Sequence, residues 1–170
     1  MRNAALLGLV LLVGCARPPQ AATLPTVYYF VGVDCPIANA YAPEIARIQA
    51  DYPAFRHVVV YPLPDATADK IARHSKEFGL GGDIRHDRDL REARRLGATR
   101  TPEVVVVDSR GTTVYQGRID DRYPKPGGRR REHPTRHDLR EALDDLRNGQ
   151  AVRVPKTEPV GCDIDFEGLP

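Results

Sequence analysis

The chain has 170 residues, enough for one domain with its own core plus short extensions. Aromatic residues make up only 6%, tryptophan is absent and the net charge is +2. That balance offers no basic field for a nucleic acid, so nucleic-acid binding is set aside.

The N-terminus reads as a targeting segment. In residues 1–14 one basic residue precedes an apolar run from Ala4 to Val13, too short to span a bilayer as a resident helix. The run ends Leu12-Val13-Gly14-Cys15, with small residues directly before the cysteine. This resembles the bacterial lipobox. The resemblance implies cleavage before Cys15 and a diacylglycerol on its thiol; an ordinary secretory cut near Ala21-Ala22 is the alternative. Each buried lipid methylene contributes about 0.8 kcal/mol, so a lipidated Cys15 would hold the chain at a membrane. Residues 15–25, rich in proline and alanine, form a linker; residues 26–149 form the domain and residues 150–170 a tail.

Thr26 to Val33 is β-branched and aromatic and predicts a buried strand. Pro36 suits the first turn of a helix. Ile37, Tyr41, Ile45 and Ile48 follow at helical spacing, so the helix is expected over Ala38 to Ala50. Pro43 falls inside that pattern and is expected to kink or break it. Arg56 to Tyr61 is a second strand. A loop and a helix then run to Gly79. Asp87 to Ala98 holds a short helix closed by Gly97, and Thr101 to Asp108 is a strand entered through a proline. Gly111 turns the chain into Thr112 to Ile119, the expected antiparallel hairpin partner. After a basic, glycine-rich loop, read as solvated, Thr135 to Gly149 forms a last helix with Leu139, Leu143 and Leu146 as its apolar stripe. The order β-α-β-α-α-β-β-α predicts parallel pairing early, an antiparallel hairpin late, and helices on both faces of one mixed sheet.

Cys35-Pro36 lies just after the first core strand, and Thr101-Pro102 precedes a later one. The run Cys35-Pro36-Ile37-Ala38-Asn39 is matched by a late Val160-Gly161-Cys162. With the element order, these residues resemble the thioredoxin-like superfamily. More narrowly they resemble the redoxin (alkyl hydroperoxide reductase/thiol-specific antioxidant) group of exported bacterial proteins. The resemblance covers residues 26–149, and the tail to Ile164. It implies a three-layer α/β/α sandwich around a central mixed sheet, a reactive thiol at Cys35, and a cis Thr101–Pro102 loop facing that thiol. Pro36, Thr101 and Pro102 would then contact an extended substrate, and no cofactor is called for. Two departures matter. Position 38 is alanine, so a cycle between neighbouring Cys-x-x-Cys thiols is excluded. Gly32 stands where peroxiredoxins carry threonine or serine, so the hydroxyl that helps bind peroxide is missing.

A helix start carries unpaired N–H groups and partial positive charge, which favour a thiolate at Cys35. Asp34 beside it opposes this. If lipid consumes Cys15, the remaining cysteines of the three are Cys35 and Cys162, in a compartment where disulfides persist. From Gln150 about 12 extended residues, at about 3.3 Å each, let Cys162 reach across a small domain. By likeness to two-cysteine redoxins Cys162 would resolve a mixed disulfide on Cys35; a structural bridge pinning the tail, or a merely packed Cys35, are the bland alternatives. The five histidines show no metal-ligand spacing. The expected function is a membrane-tethered, extracytoplasmic or periplasmic thiol-disulfide oxidoreductase. Its partners would be protein or small-molecule disulfides and thiols, and a membrane through the lipid on Cys15. A peroxiredoxin-like peroxidase and a non-catalytic or copper-handling redoxin-fold module are the alternatives.

Overall fold

The computed structural model describes residues 24–125 and 127–167. The signal segment, Cys15 and the linker up to residue 23 lie outside the described residues, as do residues 168–170.

The first strand, β1 (Thr26–Phe30), is shorter than expected. Val31 still donates to Val60 O at 2.9 Å, but Cys35 N then turns back to Gly32 O at 3.2 Å, which closes a tight turn. That turn delivers the chain into α1 (Pro36–Asp51) with Pro36 in the first helical turn. The helix runs through Pro43 without a break, correcting the expected interruption. Proline forfeits one backbone bond. Here Tyr41, Ala42, Ile45 and Ile48 anchor the helix on both sides of it in the core.

The chain continues through β2 (Arg56–Tyr61) and α2 (Ala68–Glu77), the latter capped by Thr67, whose Oγ1 accepts from Lys70 N. Next come β3 (Asp83–His86), α3 (Arg91–Leu96), β4 (Arg100–Thr101), β5 (Glu103–Val107) and β6 (Thr113–Gly117). They are followed by α4 (Asp138–Arg147) and β7 (Cys162–Asp163). Three strands, β3, β4 and β7, were not anticipated. Each is two to four residues long and polar, and holds its place by pairing rather than by an apolar pattern.

The main sheet has the order β3-β2-β1-β5-β6. β1, β2 and β3 are parallel, while β5 runs antiparallel to β1, and β6 to β5. Strand alternation splits the core in two. On one face Val27, Tyr29, Val59 and Val104 meet Ile45, Ile48, Ile71 and Leu143 from α1, α2 and α4. On the other face Phe30, Val58, Val60 and Val105 meet Leu90, Ala93 and Leu96 around α3. Ile164 of the C-terminal tail joins that second cluster. The chain is therefore the expected three-layer α/β/α sandwich with a mixed sheet. The tail runs as more than a loose extension: β7 pairs with β4 in a small second sheet.

A two-cysteine candidate active site

Cys35 occupies the N-cap position of α1 in an extended conformation. It is only 4% exposed, and its Sγ donates to Thr101 O at 2.9 Å. Thr101 ends β4, and the Thr101–Pro102 bond is cis. Across β4, Cys162 is the register partner of Thr101, and Asp163 that of Arg100. One backbone residue thus meets both thiols: its carbonyl receives Cys35, and its strand edge carries Cys162. Both cysteines are free.

The two thiols are driven in opposite directions. Burial pushes the Cys35 thiol up. The Cys162 thiol, the Ala38 N–H, the Thr101 side chain and the Cys162 N–H together outweigh it and hold Cys35 below the ordinary thiol range. Cys162 is pushed up to about 11, by loss of hydration first, then by its hydrogen bond to Cys35 and by the charges of Cys35 and Asp163. The expected opposition from Asp34 is weak here. Its carboxylate is exposed and ion-paired with Lys70 Nζ at 2.6 Å.

The close approach of the tail depends on Gly161. A Cβ there would lie 2.6 Å from the Thr101 carbonyl carbon and 2.9 Å from Pro102 N. On both sides of Cys162 the tail is clamped. Upstream, Gln116 N donates to Pro155 O at 2.9 Å and Thr157 N to Gln116 O at 3.0 Å. Downstream, Ile164 N donates to Thr99 O at 2.9 Å, Arg100 pairs with Asp163 at 3.1 Å, and Arg94 lies over the Phe166 ring.

A cleft of about 410 Å³ opens beside the sulfurs. Gly32 to Cys35, the Pro62–Ala66 loop, Lys70, Thr101 and Cys162 line it. Asp34, Asp65, Asp163 and Asp165 also line it, so its wall is acidic with one lysine. Its volume falls within the range of small-molecule sites.

No protein-family model and no curated relative matches the chain. Among solved structures it is similar to a hypothetical protein from Sinorhizobium meliloti 1021. The TM-score is 0.74 and the identity 23%, over 87% of this chain and 82% of that one. It is also similar to an uncharacterized conserved protein from Geobacillus kaustophilus, with TM-score 0.72 and 24% identity, over 86% and 79% of the two chains. A candidate thiol:disulfide interchange protein, DsbE, from Chlorobium tepidum matches with TM-score 0.50 and 18% identity, over 56% of this chain and 67% of that one.

The fold is thioredoxin-like.

Within this thioredoxin-like fold, Cys35, Thr101 and Cys162 line the cleft, while Pro36, in the first turn of α1, and Pro102, joined to Thr101 by the cis bond, do not. One expectation changes. The Thr101 edge, read in the sequence as the place for an extended substrate, is occupied by the protein's own Cys162 strand. Gly32 also gains a reason: a Cβ there would stand 3.0 Å from Thr101 Oγ1 and 3.2 Å from Cys35 Cβ. The Thr101 side chain itself hydrogen-bonds the Cys35 sulfur.

Sequence reading missed the residues that hold this arrangement. His74 is buried; its Nε2 donates to Asn39 Oδ1 at 2.8 Å and its Nδ1 accepts from Tyr61 OH at 2.9 Å. Asn39 Nδ2 then donates to Val33 O at 3.2 Å, bracing the turn before Cys35. Burial keeps the His74 pKa below the usual imidazole value. Glu103, buried in β5, accepts from Thr99 N, Arg100 N and Gln116 Nε2 and so fixes the loop into β4. A charged residue directly before the Val104–Val107 run, at the start of a buried strand, was the available signal. Among the described residues, no group of three or more histidine, cysteine or acidic side chains could hold a metal ion.

Proposed function

We propose that the protein is a thiol-disulfide oxidoreductase in which Cys35 attacks and Cys162 resolves. The observation that carries this reading is the pairing of Cys162 with Thr101, whose carbonyl receives the Cys35 thiol. The Cys35 thiolate attacks one sulfur of a substrate disulfide, and the other sulfur leaves with the bonding electron pair and takes a proton from solvent. The sulfur bond now on Cys35 removes its negative charge, and with it two of the causes that hold Cys162 protonated. Cys162 then loses its proton and attacks Cys35 Sγ, and the second substrate thiol departs. The Cys35–Cys162 disulfide is left oxidised by two electrons, and an external dithiol returns it to the starting state.

Hydroperoxide reduction is a second reading, favoured by the Thr101 hydroxyl beside Cys35. There the thiolate would take the terminal oxygen of the hydroperoxide as the O–O bond breaks and the alcohol (or water) leaves, and Cys162 would condense with the resulting sulfenic acid, releasing water. An exported, membrane-anchored setting remains part of the proposal on the strength of the Leu12 to Cys15 signal. Among the described residues no helix is long and apolar enough to cross a membrane.

The test uses reduced protein and a small disulfide. Wild type should end as a Cys35–Cys162 disulfide by mass spectrometry. Cys35→Ser should be inert, and Cys162→Ser should stop at a mixed disulfide on Cys35. A Cys35→Ser variant that keeps full activity overturns the reading. For the anchor, Cys15→Ala should leave a larger, unlipidated precursor, and soluble wild-type protein cut after Ala22 would refute it.

A further inference from the structure

We propose that the C-terminal tail is a built-in occupant of the peptide edge, so that this oxidoreductase acts on low-molecular-weight disulfides entering through the cleft and not on disulfides in extended polypeptides. The inference rests on the thiol-disulfide reading above and names its substrate class.

An extended polypeptide gains affinity by adding a strand to an open sheet edge, where main-chain hydrogen bonds set its register. The edge that places a partner's sulfur against Cys35 is that of Thr101. It is taken: Thr101 is paired with Cys162 and Arg100 with Asp163. The occupant carries a cysteine at the register position where an incoming chain would have to bring its own. An occupant that came and went would show few anchors. This one has Val160 and Ile164 buried at 6% and 7% exposure, Gly161 seated against the Thr101–Pro102 peptide, and an ion pair from Arg100. Ile164 also belongs to the cluster that covers the second face of the sheet. Releasing the tail therefore opens core as well as the edge.

What remains accessible is the cleft. At about 410 Å³ it is large enough for a small disulfide, with Cys35, Cys162 and the apolar Pro62, Leu63 and Pro64 all in its wall. In the attack, the Cys35–sulfur bond forms as the substrate S–S bond breaks. One small thiol leaves, and Cys162 expels the second, as in the balanced sequence above.

The experiment isolates the first step in a Cys162→Ser background, where the adduct on Cys35 persists. Two probes carry the same leaving group: 2-hydroxyethyl disulfide, and a short extended peptide whose cysteine is disulfide-bonded to 2-mercaptoethanol. Adduct formation is followed by quenched mass spectrometry. With the tail in place the small disulfide should modify Cys35 at least about 100-fold faster than the peptide adduct forms, the scale of loss from misplaced reacting atoms. Adding Ile164→Asp, or separately Val160→Asp, each of which puts a charge on a buried anchor of the tail, should release the tail and cut that ratio at least about tenfold, one decade of differential access. A peptide rate within about tenfold of the small disulfide in the tail-docked protein overturns the inference while leaving the oxidoreductase intact. So does a ratio that neither tail variant changes. If neither probe modifies Cys35 in the folded protein, the oxidoreductase reading itself fails, and this inference with it.

Discussion

Gly161→Ala should separate the two chemical steps. The added Cβ would sit 2.6 Å from the Thr101 carbonyl carbon and 2.9 Å from Pro102 N, and both are backbone atoms that cannot swing aside. Ordinary contact begins near 3.4 Å, so β7 must retreat by about 1 Å, at an overpacking cost of about 1–3 kcal/mol. A displacement of that size between reacting atoms costs on the order of 100-fold in rate. The loss falls on resolution, which needs Cys162 Sγ against Cys35 Sγ. Attack by Cys35 is less affected, because the Ala38 N–H and Thr101 still face its sulfur. In a single-turnover reaction with 2-hydroxyethyl disulfide, acid-quenched and read by mass spectrometry, wild type should pass to the internal disulfide with little mixed disulfide. The variant should accumulate the mixed disulfide and clear it about 100-fold more slowly. Clearance at the wild-type rate would show that the backbone approach at Gly161 does not set the sulfur–sulfur geometry.

Four other outcomes are expected. Alkylation of Cys35 should reach half its maximal rate at a lower pH than a free cysteine thiol does, because its folded pKa is depressed and the reactive thiolate survives to lower pH. Cys162 should titrate near 11, and in Cys35→Ser its midpoint should fall; an unchanged midpoint would mean that the two sulfurs do not interact. Oxidation to the Cys35–Cys162 disulfide closes a loop of more than 100 residues, worth about 4–5 kcal/mol in the chain-entropy account, so calorimetry should find the oxidised form melting about 10 °C or more above the reduced one. The four aspartates of the cleft wall against Lys70 should make the dication cystamine react faster than anionic glutathione disulfide, with the gap narrowing as salt rises; a gap indifferent to ionic strength would show that the wall charge is not felt at the sulfur.

The sandwich was legible because its signals are local. The Thr26–Phe30 and Arg56–Tyr61 runs could only be buried strands, and Tyr41, Ile45 and Ile48 mark one helical face. Cys35 stood out because a cysteine beside a proline at a strand-to-helix junction has a physical use. The short strands β3, β4 and β7 were not legible, since Asp83–His86, Arg100–Thr101 and Cys162–Asp163 carry no apolar alternation. Their partners, not their side chains, make them strands. Cys162 illustrates the limit. Its reach could be reckoned from chain length, but its docking beside Thr101 depends on Gly161, whose missing side chain tells nothing until the facing backbone is known. Pro43 shows the reverse, a local breaker overruled by the burial of its neighbours.

The seating of Ile164 in the second core cluster has a consequence for descent. The residues that hold the tail also complete one wall of the protein, so the fold and the chemistry make demands on the same short stretch. A lineage that abandoned the two-thiol cycle would not be free to shed its C-terminus, because that would uncover Leu90 and Leu96. It would instead change position 162 alone and keep the glycine before it and the apolar residue two places after. Descendants without the second sulfur should therefore retain full-length tails, and a shortened tail should come with a rebuilt helix over that face.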